Sequence, residues 1–248
     1  MIFTILRSQN SNLDLSSSLR YNKLMKKPSL FAIFAHPDDE AFGPAGTLAK
    51  YTETHDVYII CATRGDAGLN DSGNNEASID EIRELELRQS ADILGVENVF
   101  FLDYKDGSLN NNQYHAVAED IQRIIDEYRP EILLTYENRG VSGHLDHVAI
   151  SLITHFVFHT VEYTKTLMSY VILKELSNSL RDYFIYVPHG FVRDEVDLII
   201  DTTAFWPQKK QSIEAHKSQL KDRSRMLSVM EDAPKEEYFL IEEKPQQE

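Results

Sequence analysis

The sequence predicts an α/β domain on a doubly wound, mostly parallel sheet with helices on both faces. Three observations carry this. As far as about Tyr163, apolar runs of strand length alternate with helix-length amphipathic patterns, which implies right-handed crossovers between parallel strands. The apolar runs lack polar alternation, as strands buried on both faces do. The loops that end two of these runs collect histidines and aspartates, and ligands bind at strand ends in open sheets of this kind. Such a sheet is Rossmann-like, and beyond Tyr163 a C-terminal strand meander is expected at one edge.

The elements follow in order. Residues 30–35 form the first strand; Pro37 lacks an N–H and biases His36 towards extended backbone, so the chain leaves the sheet there. Residues 40–54 carry Ala41, Phe42, Ala45, Leu48, Ala49 and Tyr51 at near-helical spacing. Residues 57–62 are a strand, 63–68 a loop, and 69–75 an Asn-, Gly- and Ser-rich stretch expected to be mobile. Residues 79–94 are the clearest helix, with Ile82, Leu85, Leu87, Ala91 and Leu94 as its apolar face and Gly95 as its cap. A strand at 99–102, a turn at 103–107, a helix at 114–128 and a strand at 132–136 continue the alternation. Residues 167–173, 183–187 and 196–200 are the expected meander, and 205–220 reads as a helix. The tail from Asp232 is charged, with residues 238–241 as its only apolar anchor.

Residues 1–27 form a polar, Ser- and Asn-rich extension of disordered character, without the apolar stretch of a signal peptide, and Met25 is a plausible second translation start. Residues 28–248 are expected to be one domain. The apolar segment 148–161 contains His155 and His159 and is too short to span a bilayer. Net charge is -15, with 40 acidic residues against 25 Lys and Arg. That argues against nucleic acid and against peripheral binding to anionic membranes as partners. The single cysteine, Cys61, cannot form an internal disulfide, which is compatible with a cytoplasmic location.

The chemistry concentrates in two places. His36-Pro37-Asp38-Asp39-Glu40 follows the first strand, and Gly143-His144-Leu145-Asp146-His147 follows the strand at 132–136. By the alternating topology both loops leave the sheet at one edge, so they can meet in space. An imidazole and carboxylates buried together need a partner, and a metal ion is the simplest one. Two histidines and one carboxylate form a common facial set for a catalytic metal with an open position for water. His36 and Asp39 can reach one ion from one loop, and either His147 or His144 completes the set. That leaves Asp38 free to take a proton from bound water. The spare imidazole can serve as proton donor or oxyanion stabiliser, oriented by Asp146.

These residues, Ala35-His36-Pro37-Asp38-Asp39-Glu40 with His144-Leu145-Asp146-His147, resemble the PIG-L/LmbE-like family of zinc-dependent N-deacetylases. Such enzymes act on N-acetylglucosamine-type sugars, including steps towards mycothiol, bacillithiol and glycosylphosphatidylinositol. Weaker matches occur in the expected order: Thr63-Arg64-Gly65-Asp66, Arg83 with Glu86 and Leu94-Gly95, Asp106-Gly107, and His216-Lys217-Ser218-Gln219. The resemblance implies Zn²⁺ (with Fe²⁺ or another divalent metal as alternatives) on His36, Asp39 and His147. It implies Asp38 as general base, His144 as acid or oxyanion stabiliser held by Asp146, and Arg64 near substrate hydroxyls. His216 is a further substrate-binding candidate. Glu40 is expected to support the loop, and Arg83 and Glu86 to be structural partners. A small amino-sugar substrate and a homo-oligomer are also implied. Leu145 stands where the family commonly has Pro, and no family motif covers the N-terminal extension.

Two rival readings remain. A non-haem Fe(II) enzyme also uses two histidines and a carboxylate, although its usual His-x-Asp spacing differs from that of His36 and Asp39. A non-catalytic sugar- or metal-binding protein would have no need of Asp38 and His144 beside the ligands.

Overall fold

The computed structural model describes residues 27–71, 73, 77–180 and 186–245. Residues 1–26 of the N-terminal extension with the Met25 start, residues 72, 74 and 75 of the expected mobile stretch and 183–185 of the expected strand lie outside the described residues. Five strands run parallel: β1 (Ser29–Phe34), β2 (Asp56–Thr63), β3 (Asn98–Tyr104), β4 (Ile132–Tyr136) and β5 (Thr166–Val171). With β6 (Leu198–Asp201) and β7 (Glu236–Glu243) the sheet has seven strands in the order β3-β2-β1-β4-β5-β7-β6. The fold is mixed α/β, mostly parallel, as the alternation predicts.

β1 is buried along its whole length. Phe31 at its centre stacks on Tyr58 of β2 and meets Tyr128, so an aromatic cluster locks the middle of the sheet. The chain crosses from β1 to β2 on one side, while β4 pairs with β1 on the other. The loops after β1 and β4 therefore flank the point where strand order reverses, which is where open α/β sheets form a crevice.

The predicted helix at 40–54 is two helices, α1 (Asp39–Phe42) and α2 (Ala45–Tyr51), because Pro44 supplies no N–H to a continuous ladder. α3 (Ile79–Leu94) has a capping box from Ser78 and Glu81 and ends on Gly95 in the left-handed conformation. α4 (Tyr114–Tyr128), α5 (Gly140–Gly143) and α6 (Leu145–Thr160) follow. After β5 come α7 (Lys174–Ser179), α8 (Trp206–Ala215) and α9 (Leu220–Glu231). The predicted helix at 205–220 breaks at His216, where the chain turns in so that His216 and Ser218 reach buried glutamates.

The antiparallel edge is present at the C-terminal part, where the expected strands near 167–173 and 196–200 are joined by one from the tail. β5 is the fifth parallel strand, 186–187 are irregular, and β6 pairs with β7. The tail anchor at 238–241 is the centre of β7, inserted between β5 and β6. Its charges hid it. Glu237 is buried, but Lys209 pairs with it at 2.6 Å and the amides of Gly46 and Thr47 at the start of α2 donate to it. A carboxylate satisfied in this way tolerates a strand interior.

Candidate active site

Two loops bring the candidate residues together. One leaves β1 and carries His36 to Glu40; the other leaves β4 and, through α5, delivers His144 and His147 at the start of α6. The His36 ring is buried, with Nε2 3.0 Å from Asp106 Oδ1 and 3.2 Å from Asp146 Oδ2. Two carboxylate acceptors place the proton on Nε2 and turn the Nδ1 lone pair inwards. His147 Nδ1 lies 3.2 Å from the Gly140 carbonyl and from Ser142 Oγ, which places its proton on Nδ1 and leaves Nε2 bare. His36 Nδ1 and His147 Nε2 face each other at 3.1 Å, close enough to share a proton or one metal ion. Asp39 Oδ2 accepts from the backbone amides of Ala35 and His36 at 3.1 and 2.8 Å, and Oδ1 lies 3.2 Å from His147 Nε2.

This donor set fits a divalent cation. Two imidazole nitrogens and the Asp39 carboxylate lie close together, a set that a divalent cation would satisfy. Tetrahedral Zn²⁺ with bonds of about 2.0–2.1 Å has ligand-to-ligand edges of roughly 3.3 Å. His36 Nδ1 and His147 Nε2 are 3.1 Å apart, Asp39 Oδ1 is 3.2 Å from His147 Nε2, and Asp39 Oδ2 is 3.7 Å from His36 Nδ1. Electrostatics agree. Burial opposes an imidazolium at His36, but Asp106, Asp146 and Asp39 more than reverse this and push its pKa up to about 10. Burial likewise opposes the Asp39 anion, yet His147, His36 and the loop amides hold its carboxyl well below the usual range.

Asp38 stands beside the ligands with φ 114° and ψ -21°, strained for a residue with a side chain. Its Oδ2 is 2.8 Å from Arg83 Nη2, and the same guanidinium group donates to the Pro37 and Gly65 carbonyls. Burial raises the Asp38 pKa, Arg83 opposes it, and the balance lies at about 6. Gly65 makes room for Arg83: it has φ +70°, and a Cβ there would collide with the Arg83 guanidinium group. His144 caps α6, its Nδ1 accepting from the Asp146 amide at 3.2 Å, so a neutral ring carries its proton on Nε2. Burial lowers the His144 pKa, and the neighbouring His36 and His147 push the same way.

Three expectations need correction. Asp146 does not hold His144 through its carboxylate; that group meets His36 and the amides of Gly107 and Leu109, and only the Asp146 backbone meets His144. Arg64 does not reach the cavity. It is partly exposed, pairs with Glu84 and Asp103, and lies over the Phe101 ring, 4.8 Å from its centroid. Acidic partners on its own rim outcompete the crevice. His216 is fully buried and spends Nε2 on Glu40 at 2.6 Å, so it cannot touch substrate. Leu145, the departure from Pro, is exposed.

The site opens into a cavity of about 380 Å³ lined on its polar side by His36, Asp38, Arg83, Asp106, His144 and His147. Tyr170, Ile172, Leu176, Leu180 and Met226 add apolar lining, next to Asp222 and Arg225. Sequence reasoning treated Arg83 as structural and gave Asp106 no role; their places within quoted motifs were the only available signal. It also passed over Tyr136, whose ring stacks on His147 at 4.6 Å.

A 1D-myo-inositol 2-acetamido-2-deoxy-alpha-D-glucopyranoside deacetylase from Catenulispora acidiphila is 31% identical over 163 residues, covering 55% of this chain and 46% of that relative. This chain thus spans about half the length of that relative. The solved structure of N,N'-diacetylchitobiose deacetylase from Pyrococcus horikoshii superposes with a TM-score of 0.64 at 20% identity, covering 94% of this chain and 95% of that one. A 4-carboxy-2-hydroxymuconate hydratase from Pseudomonas putida superposes with a TM-score of 0.63 at 16% identity, covering 90% and 99%. Both show a shared fold, and the hydratase shows that the fold alone does not choose the reaction. Residues 31–158, more than half of the 248, match the PIG-L model, described as GlcNAc-PI de-N-acetylase. Two loops rich in histidine and aspartate at one sheet edge and this match lead to one conclusion: the chain belongs to the PIG-L family.

Proposed function

We propose that the protein is a zinc-dependent amidohydrolase that removes the acetyl group from an N-acetylglucosamine-type sugar or conjugate. The observation that carries this reading is the pair of imidazole nitrogens at 3.1 Å beside Asp39, with Asp38 and His144 left over for chemistry. The family match favours an acetylated amino sugar over the hydratase reaction that the fold also hosts. The relatives act, by their names, on an acetamido-glucopyranoside and on diacetylchitobiose.

His36 Nδ1, Asp39 and His147 Nε2 would hold the metal, which when bound would polarise the acetyl carbonyl and acidify a water. Asp38 accepts the proton of the attacking water, and Arg83 holds its carboxylate towards the cavity. His144, neutral with Nε2 protonated, donates to the oxyanion of the tetrahedral carbon. A proton then passes to the departing nitrogen, giving acetate and a free amine. Asp106 and Arg83 on the polar wall suit sugar hydroxyls, and the apolar lining suits whatever the sugar carries.

Acetate release from a panel of N-acetylglucosamine conjugates tests this. Release should stop on chelation and return with Zn²⁺. No release from any member by metal-loaded protein would favour the binding-protein reading instead. Among the described residues no helix is long and apolar enough to cross a membrane. A cytoplasmic location and a homo-oligomer belong to the same proposal, and light scattering checks the second.

A further inference from the structure

Behind the loop after β1 lies a buried group that the proposed reaction does not use. Glu40 and His216 are both 0% exposed, with His216 Nε2 2.6 Å from Glu40 Oε1. Ser90 on α3 donates to the same oxygen at 2.6 Å. The other oxygen, Oε2, accepts from the Asp38 backbone N–H at 3.1 Å. That N–H belongs to the Pro37–Asp38 peptide, whose carbonyl accepts from Arg83 Nη2. One peptide plane is therefore gripped on both edges, by a carboxylate at the N–H and a guanidinium at the carbonyl. Rotating this plane is what would release Asp38 from φ 114°. Strained backbone of this kind persists only where its surroundings over-determine it.

We propose that Glu40 and His216 are positioning residues that fix the Pro37–Asp38 peptide plane and so aim the Asp38 carboxylate at the cavity. His216 supplies the partner that keeps the Glu40 carboxylate buried and directed. This also explains why α8 and α9 are separate helices. The chain breaks at His216, φ -78° and ψ 68°, to deliver that ring to Glu40. A continuous helix from 205 to 220 would forgo the kink that brings it there.

The inference rests on the proposed role of Asp38 as general base. The experiment is a double-mutant cycle on the zinc-loaded full chain: His216→Ala and Ser90→Ala, each in the wild type and in Asp38→Asn. Asn tolerates left-handed backbone but cannot take the proton. In the wild type, His216→Ala should lower kcat about 10- to 100-fold, as misplacing a reacting group does. Ser90→Ala, which removes one donor and keeps the helix, should lower it several-fold. KM and zinc stoichiometry should hold in both. In Asp38→Asn neither change should cost more than about twofold, because residues acting through one group are not additive. Restoring an Nε2-type donor with His216→Gln should recover part of the loss.

Equal losses in the two backgrounds, or losses carried by KM or by zinc content, would overturn the positioning role. If His216→Ala does not fold, the Ser90→Ala cycle decides by the same criterion. A wild type that releases no acetate, or an Asp38→Asn variant with full activity, refutes the underlying assignment instead and is recognised by that.

Discussion

The loops after β1 and β4 solve one problem in two ways. Each holds a non-glycine residue at positive φ, Asp38 at 114° and Val141 at 60°, and each sends that residue's N–H to a glutamate 3.1 Å away. Glu40 serves the first and Glu137 the second. The glutamates differ in what stands behind them. Glu40 is backed by Ser90 and His216 in the core. Glu137 is backed by Arg139, whose side chain is 44% exposed and reaches the His189 carbonyl. The β1 loop is thus fixed from inside the protein and the β4 loop from its surface. That division suits the proposed chemistry: the base needs one direction, whereas Val141 and Ser142 only line the cavity.

Replacing the residue that the β1 loop exists to hold should have the largest effect. Asp38→Asn should lower kcat by about 10²- to 10⁴-fold, the usual worth of a general base, with metal content unchanged. Steady-state kinetics with metal analysis checks this. Retained turnover would reduce the Asp38 strain to an accident of the turn.

The second effect tests where the loops meet. Asp146 starts on the β4 side, yet its carboxylate braces His36 on the β1 side at 3.2 Å. Asp146→Asn keeps the shape but weakens the acceptor that directs the His36 tautomer. It should weaken zinc affinity about 10- to 100-fold. Competition against a chromogenic chelator measures it. If kcat fell while affinity held, the role first expected for Asp146, orienting His144, would be restored.

These two residues also mark how far the sequence could be read. The parallel half of the sheet was legible because strands buried on both faces show as unbroken apolar runs, and the convergence of the His36 and His144 loops follows from topology alone. Asp146 was legible as a site residue but not in its direction, because two imidazoles and several turns lie within reach and only packing selects among them. Arg64 and His216 failed for a related reason. Motif position brought both near the site, while Glu84 and Asp103 drew one outwards and Glu40 drew the other into the core. β7 was hidden because a buried glutamate looks like a tail residue until its lysine is found.

A third effect concerns stability. Gly140 has φ +71°, and a Cβ there would lie 2.8 Å from both His147 Cβ and the Val148 nitrogen. Gly140→Ala combines left-handed strain with a clash against rigid atoms and should cost about 1–3 kcal/mol. Thermal unfolding should show the loss, and zinc affinity should fall with it because the Gly140 carbonyl directs His147. A variant of unchanged stability would mean that the β4 loop yields more readily than its hydrogen bonds suggest.

The smallest effects should come from the exposed arginines. Arg139→Ala removes the surface brace of Glu137 but leaves the Val141 N–H bond in place. A half-exposed ion pair contributes about 0–1 kcal/mol, and salt screens it. Added salt should therefore narrow the difference between Arg139→Ala and wild type. It should not narrow the loss in His216→Ala, whose charges are enclosed. If both variants responded to salt alike, the distinction between a core-held and a surface-held loop would fail. Arg64→Ala, further out, should change turnover by less than about twofold, because its guanidinium serves Glu84 and Asp103 on the rim. A large rise in KM there would mean that the arginine swings into the cavity when substrate arrives.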